Sequence, residues 1–288
     1  MCPCSAPCAT STRCSMSELD VQPELVTGLL VAFLREEVGS AGMSRAVVGL
    51  SGGVDSAVVV ALCARALGAE NVLGLQLPYR LSSPGSRADA ASVARSLSIP
   101  TRCVDISAMA DGYLLAEGVE DRRRCGNVLA RCRMTVLYDQ SVAWNGLVIG
   151  TSNKSEILLG YSTQWGDGAH ALNPLGDLYK HQVYQVARYL ELPHEVLVKA
   201  PSADLFEGQT DENELGFTYA ELDRLLYRMV DRRYSEDELV ADGFEREFVR
   251  RVWGKVVASQ FKRMPPVIAK VSRRSVGHDF RYLRDWKR

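Results

Sequence analysis

The chain has no apolar run long enough to cross a membrane and no excess of charge of either sign. A membrane-spanning helix needs about 18 or more consecutive apolar residues, and the sequence contains no such run. Lysine and arginine total 34 against 35 aspartates and glutamates, which gives a formal net charge of −1. Because nucleic acid is held by a basic surface, this balance disfavours a duplex as the main partner. We therefore predict a protein with no membrane partner and no nucleic-acid partner.

The first 17 residues lack the apolar core of a secretory signal, although they hold four of the eight cysteines. The four are Cys2, Cys4, Cys8 and Cys14. Their spacing is not the paired C-x-x-C pattern of a structural zinc site, so a metal knuckle is the weaker alternative to disorder. We expect residues 1–17 to form a disordered leader, with Met16 as an alternative start of the chain. The other cysteines are typical of a reduced cytoplasmic protein.

Short apolar segments alternate with amphipathic ones through the first two thirds of the chain. The apolar segments predict strands at 45–50, 71–77, 101–106 and 147–150. The amphipathic segments predict helices at 24–37, 55–67, 86–97, 127–144, 154–159 and 180–190. This alternation is typical of an α/β fold with a doubly wound parallel sheet flanked by helices, in which ligands bind at the carboxyl ends of the strands.

The last third of the chain is predicted to be helical, at 219–229, 235–241 and 245–261. A polar stretch at 205–216 precedes these helices, and it predicts either a mobile lid or a plain solvated loop. No internal repeat or linker divides the sequence. We therefore expect residues 18–288 to form a single domain.

The most informative segment is residues 49–56, Gly-Leu-Ser-Gly-Gly-Val-Asp-Ser, directly after an apolar strand. A glycine-rich turn that opens a helix directs backbone N–H groups at one point, which suits a phosphate. The segment lacks the lysine of a P-loop of the G-x-x-x-x-G-K-[ST] type. Asp55 would repel a bound phosphate unless Mg²⁺ lies between them, since Mg²⁺ takes oxygens from carboxylates and phosphates together.

The turn resembles the SGGxDS signature of the ATP pyrophosphatase, or PP-loop, superfamily, whose members cleave ATP between the α and β phosphates. Other motifs resemble the NAD⁺ synthetase family in the same order. They are Gly-Asn-Val-Leu-Ala-Arg at 126–131, Gly-Thr-Ser-Asn-Lys-Ser-Glu at 150–156, Gly-Asp-Gly at 166–168, Asn-Pro-Leu-Gly-Asp-Leu-Tyr-Lys at 173–180 and Ala-Pro-Ser-Ala-Asp-Leu at 200–205. The resemblance runs from about residue 24 to the end of the chain.

The resemblance implies a ligase that amidates deamido-NAD⁺ with ammonia. In the family the nicotinate carboxylate attacks the α-phosphate of ATP, pyrophosphate leaves, and ammonia displaces AMP from the acyl adenylate. ATP is thus a co-substrate and Mg²⁺ the implied metal. The family likeness also implies a homodimer, with the acid substrate bound across the subunit interface.

The same resemblance assigns the site residues. ATP would contact Gly49, Leu50, Ser51, Gly52, Gly53, Val54, Asp55, Ser56, Thr151, Lys180 and Ser202. Mg²⁺ would be held by Asp55 and Glu156. Deamido-NAD⁺ would contact Arg131, Gln164, Ala171, Phe261 and Lys262. Asp55, Asp167 and Lys180 are the expected catalytic residues. Taken one at a time, Glu156, Arg131 and Lys180 each admit a plain surface role, and Tyr161 and Trp165 are expected to pack in the core.

The departures from the family pattern fall in the acid-binding half. Gln164 and Trp165 stand where well-known bacterial members have Lys-Tyr, Ala171 stands where they have Asp, and Phe261 stands where they have His. Two alternatives stay open beside NAD⁺ synthesis. One is a related PP-loop amide ligase acting on a different carboxylate, and the other is a non-catalytic nucleotide-binding module.

The length of the amino-terminal segment bears on the nitrogen source. Glutamine-using members carry an amidase domain ahead of the synthetase, and only about 44 residues precede the first strand here. We therefore expect free ammonia, or a separate amidotransferase subunit, to supply nitrogen.

Overall fold

Four parallel strands form one sheet at the centre of the fold. The computed structural model describes residues 18–202, 210–276 and 279. The strands are β1 Ala46–Gly49, β2 Val72–Gln76, β3 Thr101–Cys103 and β4 Leu147–Ile149. Their order is β3-β2-β1-β4, with Val47 opposite Leu73 on one side and Val148 on the other. The reversal of strand order beside β1 puts a ligand-binding crevice at the carboxyl end of β1 and β4.

Twelve α-helices surround the sheet within the described residues. They are α1 Pro23–Ser40, α2 Val54–Leu67, α3 Pro84–Ser96, α4 Ser107–Ala116, α5 Arg122–Trp144, α6 Lys154–Leu159, α7 Lys180–Tyr189, α8 His194–Val198, α9 Asp211–Leu215, α10 Tyr219–Leu226, α11 Glu236–Ala241 and α12 Arg246–Ala258. A π-helical turn, Tyr227–Asp231, follows α10.

The alternation of side chains along β1 divides the core into two layers. Ala46 and Val48 face a cluster formed with α1, α2, α3 and α7. Val47 faces the opposite cluster, which α4 and α5 complete. Successive side chains of a strand point to opposite faces, so both faces of the sheet are covered by helices. This confirms the predicted doubly wound α/β fold.

The carboxyl-terminal helices form a third apolar cluster beside the sheet. Leu222, Leu225 and Leu239 are fully buried there, and they pack with Leu159 at the end of α6 and Tyr179 just before α7. The predicted helical carboxyl-terminal portion is therefore confirmed. It packs directly on the two helices that follow β4.

The structure agrees with most of the predicted elements and adds three helices. α6 has the predicted bounds, while α4, α8 and α9 were not predicted. Of the polar stretch at 205–216, residues 205–209 lie outside the described part, and most of the remainder forms α9. The predicted leader at 1–17 also lies outside the described residues. The single domain from 18 to 288 stays a prediction.

Within residues 18–202, 210–276 and 279, no helix is both long and apolar enough to span a bilayer.

Candidate functional site

The glycine-rich turn joins β1 to α2 at the carboxyl edge of the sheet. The N–H of Leu50 donates to the carbonyl of Leu75 on β2 at 2.8 Å. Gly53 has an extended backbone, and α2 begins at the next residue, Val54. The free N–H groups of the first turn of α2 therefore point out of the sheet edge. This geometry favours an anion at the point where the sequence predicts the ATP phosphates.

Gly52 makes the closest contact between the turn and the rest of the fold. Its φ is +80°, and a Cβ there would lie 2.3 Å from the carbonyl oxygen of Ser86 in α3. Only glycine tolerates both the conformation and the contact. Lys199 holds this part of α3 in turn, since its Nζ lies 2.9 Å from Ser86 Oγ and 2.7 Å from Asp89 Oδ2. The turn therefore packs against a part of α3 that Lys199 holds in place.

Two serines hold the turn in shape. The Oγ atoms of Ser51 and Ser56 lie 3.1 Å apart, and the hydroxyl of Ser56 donates to the carbonyl of Gly53 at 2.9 Å. Ser56 is buried, whereas Ser51 is exposed. Ser56 therefore serves the internal geometry of the turn, and Ser51 is the hydroxyl that faces solvent.

Asn153 connects the turn to the helix after β4. It is fully buried and is the N-cap of α6: its Oδ1 accepts from the N–H of Glu156 at 3.0 Å, and its own N–H donates to Glu156 Oε2 at 3.2 Å. Its Nδ2 donates to Asp55 Oδ1 at 3.0 Å. One amide side chain therefore fixes the two predicted metal-binding carboxylates relative to each other.

Lys180 lies between these two carboxylates. Its Nζ is 2.5 Å from Asp55 Oδ2 and 3.4 Å from Glu156 Oε1, and its side chain is only 2% exposed. The surface role that the sequence allowed for Lys180 and for Glu156 is therefore wrong. Three predicted site residues, separated by 24 to 125 positions in sequence, therefore meet at one point.

The electrostatics of this cluster favour a charged lysine and a protonated Glu156. Burial raises the pKa of Glu156 to about 8, and the charge of Asp55 adds to the effect, while Lys180 opposes it. Burial alone would lower the pKa of Lys180, but the charges of Asp55 and Glu156 outweigh it, so the pKa lies above its ordinary value. The ammonium therefore stays charged and pairs with Asp55, while Glu156 holds its proton up to about neutral pH.

The donor set suits a cation that also binds phosphate. In the described part of the chain no three His, Cys, Asp or Glu side chains cluster so as to hold a metal by themselves. Asp55 and Glu156 supply carboxyl oxygens from two sides of the cluster. Mg²⁺ is commonly held by one or two carboxylates, with water and substrate phosphates as its other ligands. The residues present therefore fit Mg²⁺ bound together with a nucleotide.

A third carboxylate, Asp211, lies on the far side of the lysine. The Lys180 Nζ is 5.1 Å from the centroid of the Tyr219 ring, which is a cation–π contact. The hydroxyl of Tyr219 donates to Asp211 at 3.2 Å, and so does that of Tyr161, at 3.1 Å. Asp211 therefore connects the lysine to the loop that follows α6.

Thr151 and Ser202 are the other two residues predicted to contact ATP. Thr151 comes two residues after β4, directly beyond Gly150, whose N–H donates to the carbonyl of Leu172 at 2.7 Å. Both Thr151 and Ser202 are half-buried. Their contact with ATP stays a prediction.

The loop at 160–168 carries Gln164 and Asp167, and it is held at three points. Lys262 Nζ donates to the carbonyls of Gly160 and Ser162 at 2.6 and 2.5 Å. Arg131 of α5 donates to the carbonyl of Gln164 at 3.2 Å. The structure thus brings three predicted acid-site residues together: Arg131, Gln164 and Lys262.

Asp167 closes this loop from within. Its carboxylate accepts from the N–H of Thr163 at 2.8 Å, and the hydroxyl of Thr163 donates to Asn127 of α5 at 3.0 Å. Asp167 as a whole residue is exposed. Its carboxylate nevertheless shapes the loop, and burial of that group raises its pKa above the ordinary value. Its catalytic role stays a prediction.

One expectation for this half is wrong, and one residue has a clear backbone role. Trp165 does not pack in the core: it is 54% exposed, with a left-handed φ of 60°. Tyr161 is half-buried and packs against the carboxyl-terminal cluster as expected, while its hydroxyl donates to Asp211 and Glu214. The N–H of Ala171 donates to Val148 at 2.9 Å, which extends the sheet beyond β4.

Phe261 lies apart from these loop contacts, in the turn after α12 that precedes Lys262. Its side chain is exposed. The contact of Phe261, and of Ala171, with deamido-NAD⁺ stays a prediction.

Sequence reasoning missed four polar residues of the cluster. They are Asn153, Asp211, Tyr219 and Asp223. Asn153 carries a readable signal, because Asn followed three positions later by Glu is a capping pattern. Nothing in the local sequence distinguishes Asp211 or Asp223 from ordinary charged helix residues.

Fold and site together define a PP-loop α/β protein. Its glycine-rich turn opens a helix at the edge of a parallel sheet, and an acidic pair and a lysine meet beside the turn.

Comparison with known proteins gives the family. The family model described as NAD synthase matches residues 26–266. The NH(3)-dependent NAD(+) synthetase of Trichlorobacter lovleyi is 54% identical over 94% of this chain and 99% of its own length. Since both the family model and this identity extend over most of the chain, the chain belongs to the NAD synthase family.

Two solved structures have the same fold. The NH3-dependent NAD synthetase of Campylobacter jejuni, in complex with the nitrate ion, is 32% identical with a TM-score of 0.75, over 87% of this chain and all of that one. The NMN synthetase of Francisella tularensis is also 32% identical, with a TM-score of 0.77 over 87% of this chain and 99% of that one.

Proposed function

We propose that this protein amidates deamido-NAD⁺ with ammonia, at the expense of ATP, and releases NAD⁺, AMP and pyrophosphate. The observation that carries the proposal is the meeting of Asp55, Glu156 and Lys180 beside the glycine-rich turn. Nucleotide binding alone does not require a buried acidic pair with a lysine, whereas transfer of AMP does, because charge builds on the leaving pyrophosphate.

The nucleotide half would bind and orient ATP. The N–H groups at the start of α2 and the exposed hydroxyl of Ser51 suit the β and γ phosphates. The Lys180 ammonium would turn from its carboxylate partners towards the departing pyrophosphate. Asp55 and Glu156 would hold Mg²⁺, which supplies neutralisation of phosphate charge when it is bound. Thr151 and Ser202 would border the nucleotide.

The acid half would place the nicotinate carboxylate next to the α-phosphate. Arg131 and Lys262 are the cations of this half, and Gln164, Ala171 and Phe261 would complete the pocket. Attack by one carboxylate oxygen forms the acyl adenylate and releases pyrophosphate. Ammonia then adds to the acyl carbon, AMP leaves, and the amide loses a proton, for which Asp167 is the proposed acceptor.

The assembly proposed for this reaction is a homodimer with the acid site at the subunit interface. Arg131 lies on α5, and α4 and α5 also carry exposed apolar side chains: Met109, Tyr113, Tyr138 and Val142. A surface of this kind favours an interface between copies. Sedimentation of the wild-type chain and of Val142→Asp tests it: a dimer that becomes a monomer supports the interface, and a wild-type monomer contradicts it.

Ammonia as the nitrogen source is supported by what the relatives use. The Trichlorobacter lovleyi protein, matched over 99% of its length, is an NH(3)-dependent NAD(+) synthetase. A cytoplasmic location stays a prediction from the pattern of cysteines.

The test is a reconstitution with ATP, Mg²⁺, ammonium and deamido-NAD⁺, in which NAD⁺, AMP and pyrophosphate are measured together. Equal amounts of the three products support the proposal. Replacing ammonium by glutamine should stop the reaction. Replacing deamido-NAD⁺ by the corresponding acid mononucleotide tests the related ligase, and AMP formed only with that acid would overturn the substrate assignment. Binding of ATP with no AMP formed would indicate the non-catalytic module.

A further inference from the structure

Asp223 is a fully buried carboxylate that reaches the active-site region from the carboxyl-terminal helices. It lies on α10, and its Oδ1 accepts from the hydroxyl of Ser155 at 2.5 Å. Its Oδ2 accepts from the N–H of His181 at 2.8 Å. Neither partner belongs to α10. The carboxylate therefore joins two other helices, α6 and α7, at their first turns.

Ser155 extends the contact to Lys180. Its Oγ accepts from the backbone N–H of Lys180 at 3.1 Å while its hydroxyl hydrogen is given to Asp223. Ser155 directly precedes Glu156 in α6, and Lys180 is the first residue of α7. Ser155 thus binds the backbone of Lys180 and Asp223 binds that of the next residue, His181, while Ser155 is itself the residue before Glu156.

The chemistry of a helix N-terminus explains why a carboxylate stands there. The first N–H groups of a helix have no partner within the helix, and the positive end of its dipole favours a negative charge. At α7 the partners of two such groups come from outside the helix: Ser155 takes the N–H of Lys180, and Asp223 takes that of His181. A buried carboxylate without such donors would cost free energy. The starts of α6 and α7 are therefore held in the positions at which both donors reach Asp223.

We propose that Asp223 is a positioning residue for the adenylation step. Through Ser155 and the start of α7 it sets where Lys180 and Glu156 stand relative to Asp55, and hence where the ammonium and the acidic pair meet the phosphates. Asp223 touches no substrate in this proposal. The proposal rests on the function proposed above.

The test compares Asp223→Asn and Ser155→Ala in the full chain. Asn keeps the shape of Asp223, but its NH₂ group cannot accept a hydrogen bond. The variant therefore loses the bond from either Ser155 or His181. Ala removes the hydroxyl that joins Asp223 to Lys180. We expect kcat to fall about 10- to 100-fold in each, with a smaller rise in the KM for ATP. Because the two residues act through one contact, the double variant should be no worse than the poorer single variant.

Leu239→Ala is the control for stability. Leu239 of α11 is fully buried in the apolar cluster of the carboxyl-terminal helices. Its side chain takes no part in the hydrogen bonds that join Asp223 to α6 and α7. It should lower the thermal midpoint while kcat, measured well below that midpoint, stays at the wild-type value. If Asp223→Asn lowers the midpoint but leaves kcat and KM unchanged, Asp223 is only structural and the proposal is overturned. Should Asp223→Asn not fold, the same comparison is made with Ser155→Ala.

A second readout separates this proposal from the function. The rise in thermal midpoint caused by Mg²⁺ and ATP needs no acid substrate. We expect Asp223→Asn and Ser155→Ala to show less than about half of the wild-type rise, and Leu239→Ala to show all of it. A full rise in Asp223→Asn contradicts the positioning role. If the wild type binds ATP but forms no NAD⁺, the function fails while this comparison still stands.

Discussion

The Lys180 ammonium occupies the space between the acidic pair, 2.5 Å from Asp55 and with only 2% of its side chain exposed. The ammonium lies within ion-pair distance of both half-buried carboxyl groups and holds them together. Because the pKa of Glu156 is raised to about 8, its proton must leave before the pair offers two carboxylates to a divalent cation. The same contact explains stability in the free protein and readiness for a metal-bound nucleotide.

Removing the ammonium should therefore make the fold depend on Mg²⁺. Lys180→Met leaves Asp55 and Glu156 buried without their partner, which typically costs about 3–5 kcal/mol. We expect its thermal midpoint to fall in EDTA and to rise with Mg²⁺ by more than that of the wild type. Turnover should fall about 100-fold or more, because the leaving pyrophosphate loses a charge partner.

The matched control is Lys154→Met. Lys154 pairs with Asp177 and Asp231 at 3.1 and 2.9 Å, outside the acidic pair. Its midpoint should respond to Mg²⁺ as the wild type does. An equal response in both lysine variants would contradict the prediction.

Asn153 should serve the helix and the acidic pair separately. Asn153→Ala removes the N-cap of α6 and the hydrogen bond to Asp55, and we expect a loss of about 1–3 kcal/mol in the free energy of unfolding, with low activity. Asn153→Ser keeps a good capping residue but is too short to replace the contact with Asp55. Urea unfolding should show much of the stability restored in the serine variant, while turnover stays low. Recovery of both together would show that capping is the whole role of Asn153.

The two central glycines of the turn should differ sharply in their tolerance of alanine. Gly52→Ala places a Cβ 2.3 Å from a backbone oxygen at a φ of +80°, so we expect a loss of about 2–4 kcal/mol. Gly53→Ala meets nothing closer than 3.4 Å, at a φ of −91°, and should lose less than about 1 kcal/mol. Thermal or urea unfolding of the two variants measures the difference in stability. Similar losses in both variants would contradict the packing of the turn on α3.

Lys262 should affect the acid substrate and spare the nucleotide. Lys262→Met removes the donor to the carbonyls of Gly160 and Ser162, which loosens the loop that bears Gln164 and Asp167. We expect the KM for deamido-NAD⁺ to rise about 10-fold, with the KM for ATP nearly unchanged. Lys255→Met, an exposed position on α12, is the control and should leave both unchanged. Equal rises in the two KM values would assign Lys262 to the nucleotide half instead.

Elements whose own sequence holds a capping or periodic pattern were predicted well. α6 has its predicted bounds because Asn153 and Glu156 cap it within four residues. β3 is shorter than predicted, since it pairs only with β2, and it ends at Cys103. α9 was missed because its residues are polar and only Asp211 and Leu215 are buried. The core role expected of Trp165 was wrong because the local sequence of a tight loop does not show whether an apolar side chain points inward or towards solvent.

The sequence by itself determined the chemistry of this protein: the glycine-rich turn, the acidic pair, the lysine and the family to which they belong. Those are properties of residue type and order, which the sequence alone contains. Only the tertiary structure decided that Lys180 is buried between Asp55 and Glu156, that Asn153 joins the pair, and that Asp223 of α10 holds the starts of α6 and α7. These contacts join positions from 24 to 125 residues apart. The parallel sheet brings the starts of α2 and α6 to one edge, and the packing of the carboxyl-terminal helices on α6 and α7 adds Asp223.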